Sequence, residues 1–146
     1  MTDFLADDYL FVYGSLRKAA GRSEHGEMCR YCHWVGNGFI QAVLYRIDHY
    51  PGAVASNLDS DRVWGEIYRI SDHNRLFACL DHYEECSAAF AEPHEYRRQQ
   101  LTVTHNNGDR LPAWVYLFNH SIADKPRILS GDFLDYLNSN TNRSDI

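Results

Sequence analysis

Of two adjacent carboxylates, Glu84 and Glu85, that follow an apolar stripe, Glu84 is the side chain best placed to do chemistry. The stretch 74–85 carries Leu76, Phe77, Leu80 and Tyr83 at helical spacing. On an ideal helix with Leu76 at zero, Leu80 falls at about 40°, Phe77 at about 100° and Tyr83 at about 340°. Glu84 then falls at about 80°, inside the stripe, while Glu85 falls at about 180°, on the polar side. A carboxylate pointed at apolar surroundings is costly unless it is paired or opens on a cavity. Desolvation also raises its pKa, the property a general acid/base needs. The same spacing allows a helix that ends by Tyr83, with Glu84 turned to solvent or paired with Arg97 or Arg98.

A second candidate is Phe11-Val12-Tyr13-Gly14-Ser15-Leu16-Arg17. Residues 9–13 form a short hydrophobic run that favours a strand, and Gly14 and Ser15 stop it. Gly14 lets a ligand approach the backbone, and the N–H groups of Ser15 and Leu16 can bind an anionic or carbonyl oxygen. Gly-Ser after a strand is equally the signature of a plain turn.

Cys29-Arg30-Tyr31-Cys32-His33 fits the C-x-x-C-H pattern of covalent haem attachment and half of a zinc knuckle. Haem attachment normally accompanies export. A zinc site needs a second pair, and Cys79 and Cys86 are spaced too widely. Buried or surface thiols are the reading that fits, with no metal. The eight histidines form no H-E-x-x-H arrangement, and no phosphate loop or dinucleotide fingerprint is present.

Composition bounds the rest. A length of 146 residues fits a single domain with a sizeable core, and 45% hydrophobic and 14% aromatic content favours a folded chain over a disordered one. The formal net charge of -6 argues against a nucleic-acid partner, which needs a basic surface. No apolar run is long enough to span a membrane. The acidic N-terminus lacks the basic start and apolar stretch of a signal peptide. A cytoplasmic protein with reduced cysteines is therefore expected.

The elements that must position these residues follow from the pattern. Strands are expected over 9–13, as one long or two short strands over 35–47 broken by Gly36 and Gly38, and over 63–70, 96–104 and 113–118. Val63, Gly65, Ile67 and Arg69 share one face of their strand, and Trp64, Glu66, Tyr68 and Ile70 the other. Residues 18–28 read as a loop, with a helical turn around 24–31. Tyr50-Pro51-Gly52 reads as a turn, and 57–61 and 87–93 as loops. Ser71 can cap the helix, with Asp72 suiting its positive end. Asn107-Gly108 predicts a hairpin with a somewhat long loop. A short terminal helix covers 132–137, with a frayed tail from about 138. The strands do not alternate regularly with helices, which argues against a doubly wound sheet and favours a compact mixed sheet or barrel.

Taken in order, seven segments resemble landmarks of the gamma-glutamylcyclotransferase-like superfamily, particularly its small bacterial members and gamma-glutamylamine cyclotransferases. They are Phe11 through Arg17; Leu44-Tyr45 followed by Tyr50-Pro51; Val63-Trp64-Gly65-Glu66-Ile67-Tyr68; Leu80-Asp81-His82-Tyr83-Glu84; Tyr96-Arg97-Arg98; Ala113-Trp114-Val115-Tyr116; and Ser130-Gly131-Asp132-Phe133. The resemblance implies a mixed α/β (α+β) domain with a small barrel-like mixed β-sheet and a few short helices. It implies Glu84 as the catalytic acid/base, and a substrate-binding loop of Tyr13, Gly14, Ser15 and Leu16. The implied reaction releases 5-oxoproline and an amine from a small-molecule gamma-glutamyl substrate, with no metal or cofactor. Tyr116 or Tyr96 would complete the pocket. Two departures stand out: Glu85 occupies the position where the family usually has glycine, and residues 18–33 differ from its usual short connection. Glu85 motivates an alternative, a catalytically impaired binding or regulatory member of the same fold.

Overall fold

The computed structural model describes residues 8–14, 26, 28–48, 50–83 and 94–144. Among the described residues, seven strands and two helices follow in order: β1 (Tyr9–Val12), β2 (Cys32–Ile40), β3 (Ala42–Arg46), β4 (Pro51–Ala55), β5 (Val63–Ile70), α1 (His73–Tyr83), β6 (Tyr96–His105), β7 (Arg110–Phe118) and α2 (Phe133–Ser144). Five strands close into a barrel in the order β1-β5-β2-β6-β7, and β3 and β4 form a separate two-stranded sheet. Neighbours in the barrel are antiparallel except for the closing pair, where β1 meets β7 in parallel with Leu10 opposite Trp114.

Period-two alternation builds two cores back to back. Phe11, Tyr13, Val63, Ile67, Ala113, Val115 and Leu117 fill the barrel interior. Leu10, Val12, Tyr68, Tyr116 and Phe118 turn outward and belong to one cluster with Leu76, Phe77 and Leu80 of α1. β5 has the expected bounds and both expected faces. Of the expected apolar stripe on α1, Leu76, Phe77 and Leu80 are buried; the Tyr83 side chain lies outside the described residues.

Several expectations are corrected. β2 runs unbroken through both glycines, with a register shift between Trp34 and Gly36. Gly38 lies where β2 crosses β6, and a Cβ there would sit 2.3 Å from the Thr104 carbonyl oxygen. Pro51-Gly52 is no turn; it opens β4, whose partner is β3. Proline is tolerated at the first residue of a strand, where its missing N–H interrupts no ladder. The cap of α1 is Asp72, which accepts from the Arg75 N–H at 3.2 Å. The β6–β7 turn is tight, with Gly108 at φ 96° and the His105 N–H donating to the Asp109 carbonyl at 2.8 Å. α2 runs past the expected 132–137 as far as Ser144 and is started by Asp132, which caps the Leu134 and Asp135 N–H groups at 3.0 and 3.2 Å. Once a first turn is capped and anchored by buried Phe133, adding residues to it is easy even for a polar sequence. Among the described residues no helix is long and apolar enough to cross a membrane.

Candidate active site

The site is framed by the end of β1. Tyr13 does not point at solvent: it is 6% exposed and belongs to the barrel core. Its hydroxyl donates to the Tyr116 carbonyl at 2.7 Å and accepts from the Ala53 N–H at 3.0 Å. One phenol thereby ties β1 to β7 and to β4. Gly14, next in the chain, packs on Pro51: a Cβ would lie 2.9 Å from the proline Cγ and 3.2 Å from Cδ. The Pro51 carbonyl in turn accepts the Tyr96 hydroxyl at 2.6 Å. Tyr50 donates to both oxygens of Glu95, at 2.7 and 3.0 Å. Four of the sequence landmarks, around positions 13, 51, 96 and 116, therefore meet at one end of the barrel.

α1 runs to the same end. Its first residue, His73, bonds Asp8, just before β1, and Asp8 also accepts the Trp114 indole N–H at 2.9 Å. One turn on, Phe77 meets Trp114 and Tyr116, with ring centroids 6.0 and 6.5 Å apart. In the last turn, Asp81 accepts the Tyr116 hydroxyl at 2.6 Å. Asp81 also pairs with Arg98, Nη1 to Oδ2 3.5 Å, and Arg98 stands opposite Tyr116 in the β6–β7 register. Trp114 is level with Leu10, so the helix advances in the direction of β1 and β7 and finishes where β1 finishes.

The described residues bring Tyr13 and Gly14 to this end; Ser15, Leu16, Glu84 and Glu85 lie outside them, as do most of the 18–28 stretch and the 87–93 loop. Tyr96 and Tyr116 are buried, and their hydroxyls brace the surrounding chain. Asp81 and Arg98 were not singled out from the sequence as site residues. The signal was present: on an ideal helix position 81 falls at about 140° from Leu76, next to Phe77 on the border of the stripe.

Other titratable groups lie around this frame. Glu66 is 7% exposed and accepts the Tyr68 hydroxyl at 2.8 Å. Burial first, and that bond second, push the Tyr68 phenol well above the usual range. The Cys32 thiol is buried, donates to the Met28 carbonyl at 3.3 Å, and is pushed up to about 12, chiefly by burial and further by Cys29. Cys29 is exposed. Among the described residues no three His, Cys, Asp or Glu side chains gather as a metal site. A separate cleft, whose lining includes Arg62, Trp64, Arg127 and Ser130, does not reach Tyr13 or Gly14.

Comparison with known proteins bears on the family and the fold. The family model described as gamma-glutamyl cyclotransferase, AIG2-like matches residues 10–135. The gamma-glutamylcyclotransferase family protein YtfP of Escherichia coli K12 is 34% identical over 133 residues, covering 86% of this chain and 96% of that protein. Among solved structures, YkqA from Bacillus subtilis superposes with TM-score 0.67 at 20% identity, covering 93% of this chain; this chain spans 43% of that longer one. An AIG2-like protein from Mus musculus gives TM-score 0.62 at 23% identity, with 81% of each chain covered. The landmarks that meet at the end of β1 all fall within the matched span, and the chain belongs to the gamma-glutamyl cyclotransferase, AIG2-like family.

Proposed function

We propose that this protein is a cytoplasmic gamma-glutamyl cyclotransferase with Glu84 as its acid/base. The substrate's α-amine attacks its own γ-carbonyl. A C–N bond closes the five-membered lactam, the bond to the departing amine breaks, and 5-oxoproline and a free amine result. The nucleophile belongs to the substrate, so no activated serine or cysteine is required. One carboxylate suffices to take the proton from the attacking nitrogen and return it to the leaving one. Backbone N–H groups over Tyr13, Gly14, Ser15 and Leu16 hold the α-carboxylate or the developing oxyanion. The remaining task is conformational, folding a flexible substrate into a near-attack shape.

The observation that carries this reading is the common direction of α1 and β1. The helix is anchored to Asp8 at its start and to Tyr116 at its end, so chain positions 14 and 83 finish on one edge. Glu84 and Ser15 follow those positions directly in the sequence. The family match supports the chemistry at the level of the family.

The test is 5-oxoproline release from a panel of gamma-glutamyl amines, amino acids and peptides. Glu84→Gln is expected to lose about 100- to 10,000-fold in kcat, the usual worth of an acid/base. Turnover undiminished in Glu84→Gln overturns the mechanism. The second reading, an impaired binder, is favoured by Glu85 at the usual glycine position. It predicts binding of a gamma-glutamyl compound without turnover, and turnover regained in Glu85→Gly would mark an impaired enzyme instead.

A further inference from the structure

We infer that Asp81 is a positioning residue that holds the last turn of α1 and through it aims Glu84. This rests on the reading of Glu84 as the acid/base. A helix C-terminus leaves its final carbonyls without helical partners and frays readily. An acid/base cannot tolerate that freedom, because a misplacement of about 1 Å is enough to cost about 100-fold in rate. The group that follows Tyr83 therefore needs a device that fixes the turn before it.

Asp81 has the contacts for that work. Its Oδ1 takes the Tyr116 hydroxyl at 2.6 Å, and its Oδ2 faces Arg98 Nη1 at 3.5 Å. Both partners are anchored on the barrel wall, opposite each other on β6 and β7. Arg98 is itself held in place: its guanidinium lies 4.1 Å over the Phe77 ring and 5.5 Å from that of Trp114. Among the described residues its buried Nη1 makes no hydrogen bond, and the Asp81 carboxylate at 3.5 Å offsets its charge. Among the described residues, Oδ1 is engaged by Tyr116 and Oδ2 by Arg98. Asp81 lies three positions before Glu84 in the sequence, so holding the turn at Asp81 holds the point from which the chain leads to Glu84.

The experiment pairs hydrogen exchange with kinetics on Asp81→Ala, Asp81→Asn and Tyr116→Phe. Amide exchange over residues 80–84 is expected to quicken about tenfold in Asp81→Ala and Tyr116→Phe, with β5 amides unchanged. kcat is expected to fall about 10- to 100-fold with KM within about twofold, the pattern of a misaimed group. Asp81→Asn keeps an acceptor for Tyr116 and is expected to recover part of the loss. In a Glu84→Gln background, Asp81→Ala is expected to add no further loss, because both act through one group. Unchanged exchange over 80–84, or losses that multiply in the double variant, overturns the inference. Should the wild-type protein release no 5-oxoproline, the functional reading fails while exchange still decides the clamp. Should Asp81→Ala not fold, Tyr116→Phe, which keeps the ring against Phe77, decides in its place.

Discussion

Replacing Tyr13 with Phe removes one oxygen and is the sharpest test of how the end of β1 is held. In the folded protein that hydroxyl donates to the Tyr116 carbonyl at 2.7 Å and accepts from the Ala53 N–H at 3.0 Å. Tyr13 is 6% exposed and Ala53 0%, so water cannot readily replace it. An orphaned buried N–H costs about 1–3 kcal/mol, and the lost bond to the carbonyl about 1 more. Phe keeps the ring, so no cavity larger than a hydroxyl opens. The sum, about 3 kcal/mol, is a large share of the 5–15 kcal/mol or so that typically holds a domain folded. For a chain of this length that corresponds to a fall of about 6–12 °C in Tm. Calorimetry or a circular-dichroism melt at neutral pH reads the shift, and urea titration at 25 °C reads the free energy. A Tyr13→Phe protein that melts within about 2 °C of wild type would refute the reasoning, because it would mean that the phenol is not the tie between β1, β4 and β7.

Three further outcomes are expected. Gly14→Ala drives a Cβ to 2.9 Å from the Pro51 ring, which has little freedom to yield, so stability should drop by about 1–3 kcal/mol in urea titration. The Ser56 hydroxyl, at 2.6 Å, holds the Asp61 carboxyl below its ordinary 3.8; burial opposes this and Arg127 at 2.9 Å reinforces it. The stability this gives is present above pH 3.8 and is lost as pH falls through the depressed value. Acid melts of Asp61→Asn should accordingly be flatter than wild type below about pH 4, and parallel curves would count against the pairing. Iodoacetamide at pH 8, followed by peptide mass mapping, should label exposed Cys29 quickly and Cys32 only on unfolding. Burial keeps the Cys32 thiol protonated with a pKa of about 12.

What the sequence displays and what it conceals divide along physical lines. β5 was legible residue for residue because one local pattern, alternation from Val63 to Ile70, determines it. The buried face of α1 was legible for the same reason, while its start was displaced by one residue because Ser71 and Asp72 are both good caps. β4 was concealed because Pro51 and Gly52 are breakers by local rule, and only their place at the edge of β3 makes them acceptable. The continuous β2 was concealed because its glycines answer to the approach of β6, a partner about 65 residues away in the chain. The site follows the same division. Gly14 was readable as a special backbone position, although its described neighbour is a proline ring. The Asp81 contacts need the hairpin register, and a tight turn at Asn107-Gly108 puts Arg98 opposite Tyr116 by simple counting.

The parallel seam between β1 and β7 also has a consequence for how the chain acquires its shape during synthesis. Leu10 and its partner Trp114 are separated by most of the sequence, and the loop between them must close before either is rewarded. Until β7 emerges, β1 has one bare edge, and α1 lacks both the indole and the phenol that pin it. A nascent chain stalled before residue 110 therefore presents an unpaired strand edge beside an uncovered apolar helix face, the combination most prone to join another copy. The barrel closes late, and the ties around Tyr13 and Asp81 close with it.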